Sequence, residues 1–407
     1  MNMNTAPPTP TIVPNPLEAP IISVPTGDAA DRPFPRHAQL CRVLHVVNGE
    51  HFSGAERVQS HLGRKLPGEG FAADFACVKP GRFYDRLNGR PDEGRAIDAR
   101  MNGRFDFAAA TRLSELVRDG GYELLHAHTP RTAMLAARVA GRLSLPWVYH
   151  VHSPTARDSG RRILNAINAR VEKRSAKRAD ALVTVSESLK RQCVADGYDP
   201  TRVHVVPNGV PAVDVRRKPD PVPGGRWVIG MIALHRPRKG LEVAVDALRL
   251  LVDAGHDVIL RCIGPFETGE YRDRIEAHVD RSGIRRSFEF IGFTDNVPAA
   301  LAAMDVMVLP SLYGEGMPMV VLESLAAGTP VVATHVEGTP EVVTDGCEGL
   351  LAEPGSSASL AGCLSRLLTG DASWPAMSAA AEDRHRQRFS DTAMAAATAD
   401  VYRRVLG

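Results

Sequence analysis

The chain has 407 residues, with 49 basic against 47 acidic residues, a formal charge of +2, and 44% apolar and 24% charged residues. At that length two domains are expected, with apolar material enough for two cores. The charge balance excludes a general nucleic-acid binder, no apolar run reaches the roughly 18 residues of a spanning helix, and the six cysteines lie too far apart for a C-x-x-C pair, so they read as free thiols of a cytoplasmic protein.

Residues 1–38 are rich in proline and small polar residues and lack the basic start and apolar centre of a signal peptide, so they read as a disordered tail. From 39 to 210 short apolar, β-branched runs follow one another: RVLHVV (42–47), FAADFACV (71–78), ELLHAH (123–128), PWVYHV (146–151), ALVTV (181–185) and VHVVP (203–207). Between them lie segments with helical spacing, such as Ala133, Ala137 and Ala140 with Leu135 and Val139. Near-continuous apolar strands alternating with helices predict a parallel sheet covered on both faces. The proline- and glycine-rich stretch 211–226 reads as a linker. The same rhythm then restarts over 227–390, with WVIGMIA (227–233), DVILRCIG (257–264), FEFIG (288–292), DVMVLP (305–310) and TPVVAT (329–334). The helix after the first of these carries Leu241, Val245, Leu248 and Val252 on one face and ends at Gly255. The expected fold class is therefore α/β: two Rossmann-like, doubly wound parallel-sheet domains facing across a cleft. Ligands of such sheets bind beyond the carboxyl ends of the strands, so the loops there should carry the chemistry.

The strongest signal follows Pro310, in SLYGEGMPMVVLESLAAGTPVVAT. Glu315 and Glu323 are eight apart, slightly over two turns of a helix expected to start near Met317, so both could face one side. The preceding Gly-Glu-Gly-Met-Pro turn should expose backbone N–H groups suited to phosphate, with Gly316 allowing close approach. Two glutamates at this spacing also fit a solvated helix; the glycine-rich turn makes the pattern specific.

This stretch resembles the E-x7-E signature of glycosyltransferase family 4, whose members are retaining enzymes with the two-domain GT-B fold. SGAERV (53–58), LLHAHTPR (124–131), VYHVHS (148–153), TVSESLK (184–190), VVPNGV (205–210), RPRKG (236–240), VEGTPEVV (336–343) and the closing RFSDTAMAAATADVYRRVL (388–406) support it in order. The resemblance implies that the first domain takes the acceptor and the second a nucleoside-diphosphate sugar, and that a closing helix over 391–407 crosses back to the first domain. It also implies roles for single residues. Glu323 would bind the ribose hydroxyls, a task that suits a carboxylate. Glu315 would sit near the donor sugar, the stretch Gly316, Met317, Pro318, Met319 and Val320 would bind sugar and diphosphate, and Lys239 would neutralise the diphosphate. Where the family has an arginine five residues before that lysine, this chain has Leu234, and Arg236 is the replacement expected on charge. Gly54 would face the donor phosphates and His152 the transferred sugar. His126, His128 and His150 read as structural, His150 being expected on the face opposite the surroundings of His152. Asn208–Gly209 reads as a turn into the hinge.

No D-x-D, HExxH or strand followed by G-x-G-x-x-G occurs, so neither a metal nor a nicotinamide cofactor is expected, and cations and helix amides would stabilise the leaving group. Residues 157–178 hold eight arginines and lysines beside Ile163, Leu164, Ile167 and Val171. This helix offers either a peripheral contact with an anionic inner membrane face or ordinary packing on the sheet. The resulting expectation is a retaining, metal-independent transferase acting on a sugar, lipid-linked or glycan acceptor in surface polysaccharide or glycolipid synthesis. A GT-B phosphorylase or epimerase, or a non-catalytic sugar- or nucleotide-binding protein of this fold, is the alternative.

Overall fold

The computed structural model describes residues 40–103, 106, 108–153, 173–214 and 220–407. The expected tail, most of the basic segment 157–178 and residues 215–219 of the expected linker lie outside the described residues. Seven parallel strands, β1 (Cys41–Val47), β2 (Phe71–Cys77), β3 (Ala96–Asp98), β4 (Leu124–Ala127), β5 (Trp147–Val151), β6 (Ala181–Thr184) and β7 (Val203–Val205), form one sheet in the order β3-β2-β1-β4-β5-β6-β7. Six more, β8 (Trp227–Ile232), β9 (Val258–Ile263), β10 (Phe288–Gly292), β11 (Val306–Leu309), β12 (Val331–Thr334) and β13 (Gly349–Ala352), form a second sheet ordered β10-β9-β8-β11-β12-β13. Each sheet thus runs outward from its first strand and then reverses, the doubly wound pattern in which a crevice opens where the order switches. The switch lies between β1 and β4 in one sheet and between β8 and β11 in the other.

β3 and β13 have no counterpart among the expected runs; each is an edge strand of its sheet. Away from the edge strands β3, β7 and β10, the described strands are buried on both faces over most of their length, as helices cover each side. The apolar core of the first sheet continues through Met317, Met319 and Val321 into the facing layer of the second, while a separate cluster around Trp227, Leu248 and Leu360 fills the far side. The helix Asp391–Leu406 packs on the first domain's helix Gly54–Lys65, with Lys65 3.7 Å from Asp391 and Tyr402 fully buried. All six cysteines are unbonded to one another, and among the described residues no helix is long and apolar enough to cross a membrane.

Candidate active site where the strand-end loops meet

The loops after β8 and β11, flanking the second sheet's switch point, are locked together. Gly240 adopts φ +69°, and an added Cβ would collide with the Pro310 carbonyl, so the lysine-bearing loop closes directly on the loop before Glu315. The Leu312 N–H donates to the Arg238 carbonyl at 2.8 Å. This brings Lys239 Nζ against Glu315 Oε1, where Ser311 Oγ also donates at 2.6 Å. Arg238 lies 3.6 Å from the same oxygen and donates to the carbonyls of Tyr313 and Gly314. Burial pushes the Lys239 ammonium down, Glu315 pulls it back up, and the charges of Arg238 and Arg236 push it further down. Arg236 itself faces Glu267 at 3.5 Å. The second cation on the carboxylate held by Lys239 is therefore Arg238, whereas Leu234 stands 43% exposed.

Glu315 lies in the turn before the helix, which runs Met319–Ala326 with Pro318 as its cap, so Glu315 and Glu323 do not share a helix face. Proline fixes the first turn here, and the amides of Met319 and Val320 head it without an intrahelical acceptor. The N–H groups of Gly314 and Glu315 are not open to a ligand. Both donate to the carboxylate of Glu337, at 2.7 and 3.0 Å, and Glu337 takes up φ +36°. The anion at that part of the turn is the protein's own.

One turn into the helix, Glu323 is 5% exposed and pairs with Arg57 of the first domain. Burial pushes the Glu323 carboxyl up to about 7, the guanidinium offsetting part of the rise. Gly54 starts the helix that carries Arg57, and an added Cβ there would lie 3.4 Å from Met319 Cγ. The two helix N-termini therefore abut. Arg57 escaped the sequence reading although SGAERV was singled out; its place one turn beyond Gly54 was the available signal.

His152 follows β5, and a Cβ on Gly316 would strike its carbonyl, so the turn of the second domain rests on the strand end of the first. Asn208 belongs to the same contact and is more than a hinge turn: its side-chain amide donates to the Met317 carbonyl at 3.3 Å, and its N–H approaches Met317 Sδ at 3.2 Å. The expectation for His150 is overturned. Residues two apart on a strand share a face, and the rings of His150 and His152 stack with centroids 4.1 Å apart. His128 Nδ1 and His152 Nε2 are 3.0 Å apart.

A further contact joins the domains through a helix terminus. Both oxygens of Glu341 accept from the first domain's helix Glu187–Ala195, from the N–H groups of Glu187 and Ser188, each at 2.7 Å. A carboxylate there satisfies orphan donors and complements the helix dipole. Glu341→Ala should lower stability by about 1 kcal/mol, read as a lower first thermal transition, with Glu341→Gln recovering part of it. An unchanged transition in Glu341→Ala would refute the contact's contribution.

Comparison with known proteins identifies this arrangement. Residues 213–387 match the family model described as Glycosyl transferases group 1, and residues 52–213 match Glycosyltransferase Family 4. A 2-deoxystreptamine glucosyltransferase of Streptomyces kanamyceticus is 31% identical over 291 residues, covering 66% of this chain and 74% of that protein. An Escherichia coli UDP-Gal:alpha-D-GlcNAc-diphosphoundecaprenol alpha-1,3-galactosyltransferase is 26% identical over 337 residues, 78% of this chain and 85% of the relative. In fold, the crystal structure of Anabaena HepE in complex with UDP matches with a TM-score of 0.77 at 20% identity, over 89% of this chain and all of the other. Two doubly wound sheets with their switch points facing, and the two family matches spanning them, make the chain a glycosyltransferase of family 4 with the GT-B fold.

Proposed function

We propose that the chain is a retaining, metal-independent transferase that moves a sugar from a nucleoside-diphosphate sugar to a hydroxyl of a sugar, lipid-linked or glycan acceptor in surface polysaccharide or glycolipid synthesis. The observation that carries the reading is the gathering of Lys239 and Arg238 on one buried carboxylate, Glu315, beside the helix that bears Glu323. A site with two cations and helix amides is equipped to stabilise a departing diphosphate, the part that a divalent ion plays elsewhere. The Escherichia coli relative is named for UDP-galactose and a diphosphoundecaprenol acceptor, and a second HepE structure contains UDP-glucose. A uridine diphosphate sugar is accordingly the first donor to try.

In this reading Glu323 exchanges Arg57 for the ribose hydroxyls, and Arg57 is released toward the incoming phosphates. Lys239 and Arg238 shift from Glu315 to the diphosphate, and the N–H groups of Gly316, Met317, Met319 and Val320 hold sugar and phosphate. The bond between the anomeric carbon and the diphosphate oxygen breaks while the acceptor oxygen adds to the same face, its proton passing to a phosphate oxygen. His152 accepts from or donates to a hydroxyl of the transferred sugar. Slow transfer to water makes this testable without the acceptor. Release of nucleoside diphosphate should be seen from one sugar nucleotide in a panel of UDP-, GDP-, ADP- and dTDP-sugars, undiminished by chelator. Loss of release on chelation would sink metal independence, and a product of inverted anomeric configuration would sink retention.

A further inference from the structure

Three neighbouring strands bring five histidines together: His45 of β1, His126 of β4 and His128 just beyond it, His150 of β5 and His152 just beyond that. His45 and His126 are in register, and residues two apart share a face, so all five rings pack on one side of the first sheet. Burial pushes every one of them below the ordinary histidine range, His45 to about 3 and His152 to about 4, so each is a neutral imidazole. A neutral imidazole has one N–H and one lone pair, so a ring bonded at both nitrogens passes a direction along.

Three of the rings form such a series. His152 Nε2 is 3.0 Å from His128 Nδ1, with ring planes 16° apart. His128 Nε2 is 3.0 Å from His45 Nδ1, with planes 18° apart. His45 Nε2 is 3.2 Å from the hydroxyl of Tyr402, which in turn lies 2.6 Å from His126 Nδ1. Near-coplanar rings at these distances are hydrogen-bonded head to head. The hydroxyl has one proton. Given to His126, over the shorter contact, it leaves the phenol oxygen to accept from His45 Nε2–H. His45 Nδ1 then accepts from His128 Nε2–H, and His128 Nδ1 from His152 Nε2–H. His152 Nδ1, which is buried and has no partner among the described residues, ends the series as an unpaired acceptor.

The geometry points to a polarity relay in which Tyr402, His45 and His128 hold His152 as its Nε2–H tautomer, so that Nδ1 offers a lone pair to a hydroxyl of the transferred sugar or acceptor. The inference deepens, and rests on, the reading of His152 as lining the transfer site. Tyr402, His45 and His128 are positioning residues, acting through His152. The nitrogens of His45, His126 and His128, and those of His128, His150 and His152, are also close enough together to bind a metal ion. The stacking of His150 on His152, 16° from parallel, aims their in-plane lone pairs side by side rather than at one point, which favours hydrogen bonding.

The test is histidine side-chain 15N NMR of the full chain, with assignments from single His→Gln variants, alongside steady-state kinetics of donor turnover. The relay predicts Nε2–H at His45, His128 and His152 together. Tyr402→Phe removes the acceptor for His45 and should shift His152 to a mixture of tautomers. It should also lower kcat by about tenfold while leaving donor KM within about twofold. Thr398→Ala, buried in the same helix but bonded only to the Met394 carbonyl, should keep both the tautomers and kcat, which separates the relay from loosened helix packing. Mixed tautomers in the wild-type chain would overturn the relay even if Tyr402→Phe failed to fold. So would a stoichiometric metal whose removal moved these resonances, or wild-type kcat in a Tyr402→Phe variant with altered tautomers. Full activity in Lys239→Ala would instead strike the transfer-site reading and leave the tautomer pattern standing.

Discussion

Lys239→Ala is expected to lower kcat by about 100-fold, with a much smaller change in donor KM, as for loss of one preorganised group that stabilises developing charge. The ammonium is nearly enclosed, which strengthens its attraction for an anion, and it needs no solvent reorganisation as the diphosphate departs. The variant also removes a partner from Glu315, which is 5% exposed and keeps only Ser311 and the more distant Arg238. A stability loss of about 1–3 kcal/mol should accompany it. Pairing Lys239→Ala with Glu315→Gln removes the unpaired carboxylate and should return stability without returning kcat. Wild-type kinetics in Lys239→Ala would end its assignment to the leaving group.

Glu323→Ala should act on the other parameter. Two hydroxyls donated to one carboxylate are worth on the order of 2 kcal/mol, so donor KM should rise by about 30-fold with kcat little changed. Arg57, about a quarter exposed, can turn to solvent once its partner is gone. With its carboxyl pushed up to about 7, Glu323 gains its full accepting capacity only as pH rises from about 6 to about 8, so donor KM should fall across that interval. Glu323→Gln should flatten the profile. The same group affects stability with the opposite sense. It holds its proton to higher pH in the folded chain than in the unfolded one, so its contribution is full below about 4.5 and is lost as pH rises through about 7. A pH-independent donor KM in the wild-type chain would remove Glu323 from the ribose.

The two-sheet plan was readable because buried parallel strands are apolar along their whole length and stand out between amphipathic helices. Glu315 and Glu323 stood out because a glycine-rich turn and a proline lie between them, whereas Lys239 was marked only by the resemblance to the family. What escaped was set by contacts between distant residues. Arg57 and Glu323 are 266 positions apart, and Glu341 and Glu187 are 154 apart; no local period connects either pair. Glu337 escaped because its left-handed backbone and its reach to the amides of Gly314 and Glu315 come from the docking of two loops. Charge alone does not separate Arg236 from Arg238; the turn at Pro237–Lys239 sends the first to Glu267 and the second to Glu315. The misjudged face of His150 is different in kind, since the two-residue period of a strand was enough to place it with His152.

The helix Asp391–Leu406 has a consequence for the order in which the molecule is assembled. Its Tyr402 fills the first domain's interior against Phe71 and meets His45 and His126, residues that leave the ribosome more than 270 positions earlier. Domains made early in synthesis usually finish folding before later ones emerge. Here the first sheet can form early, but its core stays open, with buried imidazoles unpartnered, until the second domain has been made and this helix returns. A fragment covering 40–210 alone should therefore be loosely packed, and the final step of folding belongs to the domain that is synthesised first.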